Sequence, residues 1–279
     1  MKSTFRPFLA AVSLTALALP VQAATMAATP AEAAAGRDLV KRYADAIVSI
    51  ELVVVVKTGG ERGSQSREVK REANGTVIAS NGLTVTSLAL IDPRAGGALG
   101  GRGGGGGDAP ETEFKEVKLR LADNSEIPAR VVLKDSDLDM AFIAPESEAA
   151  AGGRKFSYVN LADAAEPTVL GTYFEVTRVP KTLQRVPIVQ MSTVVGIIEK
   201  PRRYILVTEQ TVGCPVFDPQ GRVLGLSLVY SSGGRQISAV ILPAADVAET
   251  AKQAAAVKLD PVEKSASGDA APAEEPKTP

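Results

Sequence analysis

Gly75-Thr76-Val77-Ile78-Ala79-Ser80-Asn81-Gly82-Leu83-Thr84-Val85-Thr86 is the stretch from which the rest of the chain can be read. Residues 75–79 and the run from 83 to 91 are apolar and β-branched, and Asn81-Gly82 punctuates them as a turn. The same texture continues outward. Upstream lies a strand-like run at 48–56, and downstream lie runs at 116–121, 127–134 and 140–143. After the Gly152-Gly153 break a second series follows, at 169–177, 186–198, 204–208, 223–230 and 237–241. Many short strands in two sets predict an all-β chain built as a pair of barrels or sandwiches.

The flanks differ. Leu39, Val40, Tyr43 and Ala46 recur at helical spacing, which predicts a short amphipathic helix over 37–46 after a spacer at 24–36. Pro243 opens a second helix that is expected to run to about residue 258. Residues 96–108 form a glycine-rich loop, and residues 259–279 have the composition of a disordered tail. At the start, Lys2 and Arg6 precede a short apolar run that ends at Val21-Gln22-Ala23. That pattern predicts a signal peptide over 1–23, cleaved after Ala23, and a secreted or periplasmic protein. The apolar run is too short to span a bilayer, so no membrane span is expected.

Composition narrows the chemistry. The 279 residues include 31 Lys+Arg and 32 Asp+Glu, for a net charge of −1, so nothing favours nucleic acid as a partner. There is one cysteine, Cys214, and there is no histidine. An intrachain disulfide, a His-containing or Cys-rich zinc site and imidazole-based catalysis are thereby excluded, and no metal or cofactor is expected. Cys214 is expected to be buried and inert, with an exposed reactive thiol as the alternative. Asp135, Asp137, Asp139 and Glu146 match positions 1, 3, 5 and 12 of a calcium loop. Met140 stands where that loop needs glycine, which favours a turn feeding a buried strand. Asn74-Gly75-Thr76 is a formal glycosylation acceptor at the head of a strand.

Three stretches read together resemble one family, the trypsin-like serine proteases, and most closely its high-temperature-requirement (HtrA, DegP-like) branch. Residues 75–86 are similar to the segment that leads to the catalytic histidine. Residues 119–132 and 135–141 are similar to the strands around the catalytic aspartate. Residues 213–218 and 221–226 are similar to the nucleophile loop and the hairpin after it, and 239–243 to the strand that ends the domain. The similarity spans roughly 40–256. It implies a chymotrypsin/trypsin-like double β-barrel with short N- and C-terminal helices. The first barrel would occupy 37–150, and the second 151–258 together with the C-terminal helix.

Carried across residue by residue, the resemblance places the triad aspartate on Asp139. The histidine position, three residues after Thr86, falls on Ala89. The nucleophile position, three before Pro215, falls on Val212, in a loop that also holds Gln210, Thr211, Gly213 and Cys214. A slip of one or two residues brings Ser87 or Thr211 into play, and no slip supplies a histidine. A hydroxyl nucleophile needs a base within hydrogen-bond reach, and the triad aspartate acts only by orienting an imidazole. The expectation is therefore an exported, catalytically inactive homologue that binds a peptide or protein partner, with Asp139 in a structural role. The alternative is an active endopeptidase of serine type, or one using Cys214 or Thr211 with a lysine base.

Overall fold

Strand β1 (Ile47–Thr58) carries the apolar run that opens the barrel region, and it pairs antiparallel with β2 (Gln65–Val77) along twelve residues. The computed structural model describes residues 28–58, 65–95, 111–232 and 235–257. The expected signal peptide, glycine-rich loop and tail lie outside them. Strands β3 (Thr84–Ser87), β4 (Glu111–Arg120), β5 (Glu126–Asp135) and β6 (Met140–Pro145) complete a first closed barrel in the order β1-β2-β3-β6-β5-β4. The second barrel comprises β7 (Thr172–Arg178), β8 (Pro187–Ile198), β9 (Tyr204–Val207), β10 (Pro215–Phe217), β11 (Val223–Ser232) and β12 (Arg235–Pro243). Its order is β10-β11-β12-β9-β8-β7. Among the described residues the pairings of these strands are antiparallel, so the molecule is the chymotrypsin-like double β-barrel that the sequence implies.

Alternation of side chains across each strand builds the cores. Val48, Ile50, Leu52, Val54 and Val56 of β1 point into the first barrel with Leu119, Ile127 and Ile143. Tyr173, Val194, Ile205, Val216, Leu224 and Ile241 fill the second. A third cluster joins them: Leu83, Val85, Met140 and Phe142 pack on Leu226, Leu228, Val240 and Leu242 under helix α3 (Ala244–Ala256). Because this junction is itself a buried core, residues on β3, β6 and β11 are held against one another.

Two expectations need correction. The N-terminal helix α1 runs Pro30–Tyr43, so half of the expected spacer is helical, and Ala44–Ala46 form a single 3-10 turn. The missed start is a capping box. The Thr29 hydroxyl accepts from the Glu32 amide while the Glu32 carboxylate accepts from the Thr29 amide, and Pro30 follows the cap. The run at 83–91 is not one strand either: it breaks at Ser87 into the four-residue helix α2 (Leu88–Ile91).

One buried cation ties α1 to the second barrel. Arg178 donates to the carbonyls of Ile47 (2.6 Å), Ala44 (2.6 Å) and Arg185 (3.0 Å). Arg178→Met keeps the stem and strands three carbonyls. It is expected to lower unfolding stability by about 2 kcal/mol in a guanidinium titration; an unchanged midpoint would show the three bonds to be dispensable.

Candidate functional site

Helix α2 exists because Asp139 organises its first turn. The Asp139 carbonyl accepts from the Leu88 amide (2.8 Å), and its carboxylate Oδ1 accepts from the Ala89 amide (2.8 Å). Oδ2 accepts from the Ser87 hydroxyl and from the Val229 amide on β11 (2.8 Å). Asp139 sits in the left-handed region at φ 56° and is only 7% exposed. Burial raises its pKa above the ordinary carboxylate value, against the lowering effect of the bonds from Ser87, Val229 and Ala89. The carboxylate thus spans the junction, with two donors from the first barrel and one from the second. Nearby, Asp135 accepts from the Asp137 and Leu138 amides and closes the turn before β6, as expected of a turn rather than a calcium loop. Among the described residues no group of three or more acidic, His or Cys side chains could hold a metal.

Ala89 lies against this carboxylate and is buried. The loop carrying Val212 arrives from the other barrel. Gly213, at φ +90°, approaches so closely that a Cβ there would stand 2.8 Å from the Asn74 carbonyl oxygen and 2.9 Å from Thr86 Oγ1. Its amide donates to the Ser227 carbonyl (2.7 Å), and its carbonyl accepts from Thr76 Oγ1 (3.3 Å). Gln210 Oε1 accepts from the Ser227 hydroxyl (3.1 Å). Ala89 and Asp139 are therefore in contact, and Val212 is adjacent in sequence to the residue that packs on Thr86 and Leu90. Ala89 and Val212 both carry aliphatic side chains, which can neither transfer a proton nor attack a carbonyl.

The remaining loop residues face a buried polar cluster that the sequence did not reveal. Thr211 donates its amide to both oxygens of Glu175 (2.8 and 2.7 Å) and its hydroxyl to Gln190 Oε1 (2.9 Å). Glu175 is fully buried, and burial pushes its pKa up to about 8, against the bonds from Thr211. Cys214 is fully buried and donates to Thr177 Oγ1 (3.1 Å); burial and then the Glu175 charge push its thiol pKa up. Asn74 Nδ2 donates to Thr177 Oγ1 (3.0 Å) and to the Arg178 carbonyl (2.8 Å), so the formal glycosylation acceptor is spent inside the fold. One signal for Glu175 was available: in the run 169–177 it shares an inward-facing parity with Tyr173, where a charged residue is out of place.

The chain belongs to the family of the trypsin-like peptidase domain, whose family model matches residues 73–226. Among solved structures, the apo MamO protease domain from Magnetospirillum magneticum matches at 16% identity and a TM-score of 0.46. That match covers 75% of this chain and 97% of the other; the fold assignment stands without it, on the two barrels and the family model. No curated protein matches. No helix among the described residues is long and apolar enough to cross a membrane.

Proposed function

We propose that this protein is an exported, catalytically inactive trypsin-like serine protease homologue, of an HtrA-like branch, acting as a binding or scaffold protein for peptides or unfolded chains. The observation that carries the reading is Ala89 against the Asp139 carboxylate, in a chain of 279 residues without a histidine. The triad aspartate has its acceptor sites taken up by Ser87, Ala89 and Val229. Neither nucleophile of the alternative endopeptidase is equipped. Cys214 is buried with a raised pKa, and the Thr211 hydroxyl is directed at Gln190 rather than at a lysine. Export rests on the basic and apolar pattern of residues 1–23. Where a ladder of the closed barrel is short, as between β9 and β12, strand backbone beyond it can pair with an extended peptide, so β-addition is the binding mode proposed.

The partner role is tested by fluorescence anisotropy of labelled, unfolded casein fragments with the purified protein. Saturable binding in which the fragments remain intact is expected. Absence of binding to any unfolded chain, together with crosslinking in cells to one fixed neighbour, would replace the peptide reading with a purely structural one.

A further inference from the structure

The Glu175 carboxyl is fully buried on β7, and the half-buried loop residue Thr211 donates to it. On its own strand the neighbours of the same parity are Tyr173, whose hydroxyl is engaged with Thr168 and Glu166, and Thr177. From β8 it faces the neutral Gln190, its register partner, and from β10 it faces Val216. From the loop it faces Thr211 and Cys214. Cys214 is the one other titratable group acting on this cluster, and no Lys or Arg acts on Glu175 among the described residues. An ionised carboxylate here would have donors from Thr211 alone, its amide and its hydroxyl, with no counter-charge. Burying a charge in that state is costly, and the cost falls once water reaches it.

The place where water can enter is decided by stiffness. Strand β7 pairs with β8 over seven residues and with β10 on its other side. Gly213 is pinned by Ser227 and Thr76. Residues 209–212 are exposed or half-buried, and besides the Glu175 contact the structure ties them down through two side-chain bonds, Thr211 to Gln190 and Ser227 to Gln210.

We propose that the proton on Glu175 is a latch for residues 209–212: the neutral carboxyl keeps this loop seated on the second barrel, and ionisation lifts it. The device is independent of whether the protein cleaves anything. Its working range follows from the upward push on this carboxyl, to about 8. Between pH 6.5 and pH 9.5 the carboxyl is expected to pass from mostly protonated to mostly ionised. In a chain without histidine, few other side chains change charge in that interval.

Cys214, the sole cysteine, is buried two residues beyond the loop, within reach of the Glu175 charge, and serves as a built-in reporter. The full chain is labelled with iodoacetamide from pH 6.5 to pH 9.5, and each rate is divided by the rate in guanidinium at the same pH, which cancels thiol ionisation. The normalised rate is expected to rise more than about tenfold in the native protein and to stay flat in Glu175→Gln, with far-ultraviolet circular dichroism unchanged in both. Parallel curves for the two proteins, or a rise that accompanies loss of circular dichroism, would overturn the latch. Carbon-13 NMR of the native protein keeps the test independent of the variant's folding. The Glu175 carboxyl and the Thr211 amide should titrate together near pH 8, whereas a carboxyl midpoint in the ordinary range, or an unmoved Thr211 amide, contradicts the proposal.

Discussion

Asp139→Ala is expected to cost about 3–5 kcal/mol of unfolding stability, a large share of what a domain of this kind has to spare. In a protease whose triad aspartate serves catalysis, the main effect of that change is on rate. Here three donors lose their acceptor at once: the Ser87 hydroxyl and the Ala89 and Val229 amides. Each buried donor left unsatisfied costs about 1–3 kcal/mol. The loss is also distributed across the junction, because Val229 lies on β11 of the second barrel and Ser87 on β3 of the first. Asp139→Asn retains one acceptor oxygen and should lose about half as much, and Ser87→Ala, which leaves both amide bonds in place, less again. A guanidinium titration orders the three variants. Equal stability of Asp139→Ala and the native protein would mean that the carboxylate does not hold the barrels together.

Glu175→Gln is expected to act in the opposite direction and to depend on pH. The folded-state pKa of Glu175 lies above its unfolded value, at about 8 against 4.5. Between those values the native state holds a proton that the unfolded chain has released, so stability falls as pH rises. From pH 6 to pH 9 the native protein should therefore lose about 2–3 kcal/mol, while the variant, with no ionisable group there, stays level. Burial raises the pKa of Asp139 too, which gives the same sign of slope at lower pH. At pH 9 the variant should accordingly be the more stable protein. A pH slope shared by both proteins would assign it to another group.

Much of this was legible in the sequence because barrel strands that bury one face betray themselves by alternation. The runs around β1, β6 and β11 are apolar on the inward parity and are readable directly. Strand β2 extends back to Gln65 through a stretch full of charge. Only Val69, Arg71 and Ala73 turn partly or wholly inward there, and the strand is fixed by its register with β1, a partner distant in sequence. The sequence of α2 predicts strand because Leu88-Ala89-Leu90-Ile91 suits either state. The Asp139 carboxylate, fifty residues on, captures the Ala89 amide and decides it. The family resemblance names Ala89 and Asp139 from separate motifs, and the structure brings these two together through the Ala89 amide. Glu175 belongs to no motif: its role arises from the loop that closes over it, and spacing along the chain carries no trace of that contact.

We propose that a protease scaffold has been kept here while its chemistry has been lost. The most direct test is the hydrolysis of fluorogenic casein by the purified full-length protein, with a fluorophosphonate probe in a parallel sample. The account predicts release no faster than the buffer blank and no covalent labelling of the folded chain. Hydrolysis above the blank that disappears in Asp139→Asn, or labelling at Thr211, would contradict it.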